Sequence, residues 1–398
     1  ASVRDSGKAT TLRRVQCDYY DAGVCRSCTL MGTAYSQQLA TKDARCRDAL
    51  SLIAPQLDWL EPFASAEHGF RNKAKLVVGG TASAPTLGIL DGHGRGVDLR
   101  DCGLYEPALH AALPHLADFV MDAQLTPYDV PQRRGELKYL LVTASPAGAL
   151  MLRIVLRSNS QLPQARSALP RLQAALPHLQ VVTVNLHPQH KAVLEGDTEL
   201  VLTKQSELSM PVADAELHLG PRSFFQTNTA VAAGLYLQAQ AWIDAAQPAS
   251  VLDLYCGVGG FALQAAAAGR HVIGVEVSAD AITAAQRSAA GLLAQRPDCG
   301  PIDFVVGDAT AYAIAHPAPD LVVVNPPRRG LDESLTSWLE ASAVRDVVYS
   351  SCNVTTLARD LAKMPSLIPH QARLFDMFPQ TDHHEVMVWL RRGPNRHA

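Results

Sequence analysis

With 398 residues, 47% of them hydrophobic and 18% charged, the chain has the composition of a water-soluble globular protein and is too long for one ordinary core, so two or three domains are expected. No apolar run approaches the roughly 18 residues of a membrane helix, and the opening ASVRDSGKATTLRRVQ lacks the apolar centre of a secretory signal, so a cytoplasmic protein without a membrane partner is expected. A formal net charge of -3 excludes a broad basic surface, which leaves room only for local nucleic-acid contacts, and eight cysteines in such a chain point to metal or catalysis rather than disulfides.

In chain order, the pattern predicts a helix over residues 36–54, then a hairpin of KAKLVVGG and TLGILDG. Longer strands follow in ELKYLLVTAS and LMLRIVLRS, joined by a Pro-Ala-Gly turn, then a helix over 165–178 and strands QVVTVNLH and TELVLT. Hairpins mixed with helices indicate an α+β region over residues 1–220, with the boundary placed near 211–222 by the change of pattern. From Ser250 onward, SVLDLYC, HVIGVEV, IDFVVGD, LVVVNPP and RDVVYSS alternate with helical stretches such as ADAITAAQRSAAGLLAQ and TTLARDLAKM, the signature of a doubly wound parallel sheet. RLFDMFP and EVMVWLRR have no helix between them and are expected to close residues 221–398 with an antiparallel hairpin.

The first of these strands runs into LDLYCGVGGF, where Gly257 and its neighbours let a ligand approach the backbone closely. Glu276 ends the next strand nineteen residues later, where an acid accepts hydrogen bonds from ribose hydroxyls, and Asp308 ends the third. These features fit either a dinucleotide or S-adenosylmethionine. The fourth strand ends in Asn325-Pro326-Pro327, whose spacing resembles class I S-adenosylmethionine-dependent methyltransferases, which place an Asn/Asp-Pro-Pro turn beside the methyl donor. Members that methylate exocyclic nitrogens carry an aromatic residue after the prolines; Arg328 stands there instead and turns attention to Cys352 at the end of the fifth strand. A thiolate adding to C6 of uracil makes C5 nucleophilic, and a base must then remove the C5 proton; Glu385, between HH and VMVWL, is placed to do so.

FFQTN (224–228), DLYCGVGGF, NPPRRG, YSSCN and LFDMFPQTDHHE occur in the order seen in the RNA uracil-5-methyltransferase family, and the chain resembles that family over nearly its whole length. The resemblance implies a Rossmann-like class I α/β fold, mostly parallel with a C-terminal antiparallel hairpin. It also implies Gln226, Tyr255, Glu276 and Asn325 as S-adenosylmethionine contacts, Cys352 as nucleophile and Glu385 as base. Val354 stands where the family often has proline after SCN, which shifts the expectation for that loop but not for the thiol.

Cys17, Cys25 and Cys28 are separated by seven and two residues, with Cys102 further on; four thiolates suit either zinc or an iron–sulfur cluster. The spacing resembles the [4Fe-4S]-bearing members of the same family, so the cluster is what the resemblance implies. The chain starts almost at Cys17, with no room for an N-terminal β-barrel, and so resembles the branch acting on 23S ribosomal RNA. Phe70, Arg71, Lys73 and Lys75 in FRNKAK combine an aromatic face with three cations, and Arg133, Arg134 and Lys138 form a second basic cluster. An uridine extruded from an RNA loop, by a protein acting as a monomer, is the expected partner.

Overall fold

The computed structural model describes residues 16–191 and 194–394; the polar opening stretch read for a secretory signal, residues 1–15, lies outside them. A short α1 (Asp18–Asp21) sits among the first cysteines and is followed by α2 (Tyr35–Leu50) and β1 (Asp58–Trp59). The expected helix over 36–54 ends earlier, because Pro55 disfavours helical backbone in the residue before it.

A seven-stranded sheet comes next, built from β2 (Lys73–Thr81), β3 (Ala84–Leu90), β4 (Gly96–Asp98), β5 (Leu137–Ala144), β6 (Leu150–Leu156), β7 (Leu179–Leu186) and β8 (Thr198–Val201), with α3 (Pro107–Asp122) and α4 (Leu162–Ala175) interposed. Its order is β4-β3-β2-β5-β6-β7-β8, antiparallel except for β6–β7, whose parallel pairing is bridged by α4. Alternation decides its faces: Ala74, Leu76 and Val78 of β2 enter the apolar core under α3 and α4, while Lys73 and Lys75 point the other way. The sequence pattern does not announce α3, because Pro114 lies inside it.

The hairpin of β9 (Leu208–Val212) and β10 (Ala215–Leu219) leads into α5 (Thr229–Ala246) and the second sheet. There β11 (Ser250–Leu254), α6 (Gly260–Gln264), β12 (His271–Glu276), α7 (Ala279–Gln295), β13 (Ile302–Val306), α8 (Ala309–Ala315), β14 (Leu321–Val324), α9 (Glu333–Ala341), β15 (Asp346–Ser351) and α10 (Val354–Leu361) alternate as expected, and β16 (Leu367–Phe375) and β17 (Glu385–Arg392) form the terminal hairpin. Helices α7 to α10 each begin on a side-chain cap, Ser278, Asp308, Asp332 and Asn353, which fixes where each strand ends and its helix begins. The order β1-β16-β17-β15-β14-β11-β12-β13 puts the reversal of winding between β11 and β14, the place beyond the strands' carboxyl ends where sheets of this kind form their ligand crevice.

The boundary drawn at residues 220 and 221 does not divide the packing. Leu208, Met210, Val212, Leu217 and Leu219 share a core with Val231, Leu235, Phe261 and Ala285 of the second half. From the other end of the chain, β1 pairs with β16, and Cys46 and Leu50 of α2 pack into the core beneath β14 and β15.

Candidate active site

The crevice is shaped by the turn after β11. Tyr255 (φ 63°) and Gly257 (φ 55°) both take left-handed backbone, costly for tyrosine, and a Cβ on Gly257 would meet no protein atom, so that flank stays open. A Cβ on Gly260 would come within 2.5 Å of the Tyr236 ring, so glycine is required there to seat α6 on α5. Gly257 N donates to Glu276 Oε2 (3.3 Å) and Ser278 N to Oε1 (3.0 Å), so this carboxylate ties the turn to the end of β12. Asp308 uses Oδ1 to cap α8 through Ala311 N (2.9 Å) and is otherwise exposed, while Asn325 is half-buried at the end of β14. Asp253 is fully buried one turn below; Ala262 N donates to Oδ2 (2.9 Å), Oδ1 has no protein partner, and burial pushes the acid up to about 8.

On the other side of the switch point, strand register makes the decisive pairing. β15 and β17 run antiparallel with Ser350 opposite Met387 and Ser351 opposite Val386. Cys352 follows and Glu385 precedes this last pair; Ser350, two residues before the thiol, donates to Glu385, and the Glu385 charge reaches the Cys352 thiol. Glu385 is held from the other side by its pairing with Phe375. It is 5% exposed; Ser350 Oγ donates to Oε2 (3.4 Å), Gln226 supplies a second side-chain hydrogen bond, and burial pushes the carboxyl up to about 7 against those bonds and the nearby Arg328 cation. Cys352 is half-buried, and its thiol is raised by burial and by Glu385 and lowered by Arg328, which also hydrogen-bonds it. The backbone of Arg328 is fixed in turn, since Asn353 Nδ2 and Thr356 Oγ1 donate to its carbonyl (3.4 and 3.3 Å).

The four cysteines Cys17, Cys25, Cys28 and Cys102 line one cavity of about 470 Å³, with Arg71, Lys75, His68 and Tyr105 on its walls. Burial first, and then Cys102, Cys25 and Cys17, push the Cys28 thiol up to about 11; burial also raises Cys102. Among the described residues no group of three or more His, Cys, Asp or Glu side chains is gathered tightly enough to hold a metal ion. Of the expected RNA-facing residues, Phe70 is 7% exposed, a correction: its ring is packed inside and offers no open face to a base. Arg71 faces the cysteine cavity, its Nε donating to Lys73 O (3.2 Å), and burial lowers Lys73 to about 8. Lys75, Arg133 and Arg134 are exposed; Lys138 is not, its ammonium donating to Gln189 O (2.6 Å) over the Tyr128 ring.

A family model described as tRNA (Uracil-5-)-methyltransferase matches residues 159–292 and 312–393, and a methyltransferase-domain model matches 251–336. The 23S rRNA (uracil(747)-C(5))-methyltransferases RlmC of Shigella sonnei and Escherichia coli K12 are each 44% identical over 378 residues, 94% of this chain and 99% of theirs. The chain belongs to the uracil-5-methyltransferase family. A solved relative at 23% identity, the Pyrococcus abyssi tRNA (uracil-54, C5)-methyltransferase in complex with S-adenosyl-L-homocysteine, superposes with a TM-score of 0.76 over 91% of this chain and 85% of that one. The fold is accordingly that of class I S-adenosylmethionine-dependent methyltransferases.

In this family member Tyr255, Gly257, Glu276, Asp308 and Asn325 all follow or end strands β11 to β14 at their carboxyl ends, and Cys352, Glu385 and Gln226 are gathered in one cluster. Gln226, expected at the cofactor, has its side chain on Glu385. Sequence reasoning missed Asn72, 1% exposed, whose Nδ2 donates to Gln226 O (2.9 Å) and Thr229 Oγ1 (2.7 Å) and so ties FFQTN to the first sheet. It also missed Phe224, 74% exposed beside buried Phe225, and Asp253, whose one signal is a charge inside an apolar strand.

Proposed function

We propose that the protein transfers a methyl group from S-adenosylmethionine to C5 of one uridine in 23S ribosomal RNA, through a covalent bond between Cys352 Sγ and C6. The single observation that carries this reading is a half-buried thiol and a buried carboxylate at the adjoining ends of β15 and β17, near enough for the charge of Glu385 to raise Cys352. The RlmC relatives carry the substrate in their name, and the crevice beside the thiol supplies the donor's place. Cys352 thiolate adds to C6, forming S–C6 and moving the electron pair into an enolate with density at C5. C5 then bonds the methyl carbon as the S–CH3 bond of the donor breaks, releasing S-adenosylhomocysteine. Glu385 takes the C5 proton, that C–H pair rebuilds the C5–C6 double bond, and Sγ leaves as thiolate. Arg328 favours the thiolate, and a carboxyl near pH 7 is matched to proton removal at neutral pH.

Tyr255, Glu276, Asp308 and Asn325 line the donor's side. Phe224, with Lys75, Arg133 and Arg134 further out, offers an aromatic face and cations for an extruded base and its phosphates. Cys17, Cys25, Cys28 and Cys102 line one cavity and together form the donor set of a [4Fe-4S] cluster or, as the alternative, of zinc. Once bound, such a group cross-links the Cys17–Cys28 segment to the Cys102 turn.

The test is methylation of unmodified 23S RNA fragments with labelled donor, followed by mapping of the methylated nucleotide. A single 5-methyluridine is expected, lost in Cys352→Ala; label at any other atom, or retained activity in that variant, overturns the reading. Iron and sulfide analysis of anaerobically purified protein tests the cluster, and a colourless zinc-loaded protein counts against it.

A further inference from the structure

Between the end of β16 and Glu385 lies the FPQTDHH segment, and it is pinned from one side by the inner face of α2. Gln38, Lys42 and Cys46, spaced four apart and each no more than 1% exposed, all reach it. Lys42 Nζ donates to Asp376 Oδ1 (2.6 Å), Phe378 O (3.2 Å) and His383 O (3.2 Å). Cys46 Sγ lies 3.2 Å from His384 Nε2, while His384 Nδ1 lies 3.1 Å from Asp382 O; a carbonyl only accepts, so Nδ1 carries the ring proton and Nε2 accepts a hydrogen bond from the thiol.

Gln380 is the most constrained point of the segment. It is 1% exposed and takes left-handed backbone (φ 66°), unfavourable for glutamine and tolerated only where the surroundings over-determine it. Four hydrogen bonds do so. Its N donates to Gln38 Oε1 (2.9 Å), its O accepts from Leu30 N (2.9 Å), its Oε1 accepts from Gln38 Nε2 (2.9 Å) and its Nε2 donates to Glu67 Oε2 (3.1 Å). Gln38 Nε2 also donates to Thr33 O (2.8 Å), and Leu30 lies two residues beyond Cys28.

We propose that Gln380 is a positioning residue for the reaction, the pivot through which the cysteine-bearing loop and α2 together set the place of Glu385. The inference rests on Glu385 acting as the base. It adds that the base is aimed from residues 28–38, outside the methyltransferase crevice.

The experiment separates steps that need the base from those that do not. With RNA carrying 5-fluorouridine at the target, addition of Cys352 and methyl transfer proceed but no proton is available on C5, so the covalent adduct accumulates without any proton removal by Glu385. Gln380→Gly, which suits the left-handed backbone but removes the side-chain bonds, and Gln38→Ala, on the opposite side of the pivot, are compared with Glu385→Gln in the full-length, cluster-loaded protein. The expected result for Gln380→Gly and Gln38→Ala is a fall in kcat on uridine RNA of roughly tenfold to a hundredfold, the loss that follows displacement of a reacting group by an ångström, with KM for the donor and the 5-fluorouridine adduct rate unchanged. Gln380→Asn, which keeps an amide and tolerates positive φ, is expected to recover part of the loss. If Glu385→Gln stops turnover while Gln380→Gly turns over like wild type, the pivot is refuted and the base stands. Equal loss of adduct formation and turnover in Gln380→Gly also refutes it, in favour of general disruption. If Glu385→Gln itself turns over normally, the base fails, and the pivot with it.

Discussion

At the residue scale, Glu385 combines two demands that oppose each other. Burial raises its carboxyl to about 7 from an ordinary 4.5, so between those values the folded protein holds a proton that the unfolded chain has released, and stability falls as pH rises across that window. Glu385→Gln removes this penalty. Equilibrium unfolding is therefore expected to show the variant more stable than wild type at pH 8, by up to about 3 kcal/mol, and no more stable at pH 4. As the proposed base, the same carboxyl is expected to govern turnover with the opposite sense. Single-turnover methylation of uridine RNA is expected to rise with pH through about 7 as the base ionises, and Glu385→Gln should instead accumulate the methylated covalent adduct, visible as a protein band shifted by the RNA in a denaturing gel. Cys352→Ala is expected to form no adduct while binding the methyl donor as wild type does in calorimetry.

At the element scale, the thiol depends on how β15 hands over to α10. Asn353 caps that helix, with Oδ1 accepting from Thr355 N (3.1 Å) and Thr356 N (3.5 Å), while its Nδ2 reaches the Arg328 carbonyl. Seven residues on, fully buried Asp360 accepts from Tyr349 OH (2.8 Å) and Leu331 N (2.8 Å) and receives the Arg359 guanidinium, so the NPPRRG turn, β15 and α10 meet on one carboxylate. Asn353→Ala should cost about 1 kcal/mol in denaturant unfolding, the usual worth of a cap, and lower turnover with it. Asp360→Ala strands a buried hydroxyl, a buried N–H and a cation, and is expected to cost about 3 kcal/mol or more. A smaller loss in denaturant titration would show that water or a rotated neighbour satisfies those groups. The strand–helix alternation was legible from the apolar runs between helical stretches, whereas the caps Ser278, Asp308, Asp332 and Asn353 were not read as caps, Asp308 being taken as an acid facing the cofactor. The Asp360 junction was not, because a single acid in TTLARDLAKM reads as a solvated helix face.

At the scale of the whole molecule, the sequence pattern revealed the two sheets but not how they interlock. β1 is two residues long and carries no periodic signal, yet it completes the second sheet, and α2 reads as an ordinary helix although its buried face is Gln38, Lys42, Cys46 and Leu50. Phe70 was assigned by residue type; it precedes β2, where no strand alternation fixes its face, and it is buried. What remains for nucleic acid is a sparse set of exposed cations on a chain of net charge -3, so electrostatics should contribute little beyond a few phosphates. Replacing Arg133 and Arg134 by alanine is expected to reduce the slope of log affinity for the RNA fragment against log salt by about one to two, since each phosphate contact contributes about 0.7 to 0.9. Donor affinity should not change, because neither arginine lies near the crevice at β11 and β14. Cys28→Ser acts differently: it removes one of the four thiols proposed to hold the cluster in the cavity beside Leu30, so its expected signature is a lower Tm and a lower kcat, with the salt slope close to wild type. Fluorescence titrations at four salt concentrations distinguish the two. Equal slopes in wild type and the double arginine variant would remove residues 133–134 from the RNA interface and leave Lys75 and the cavity rim to carry it.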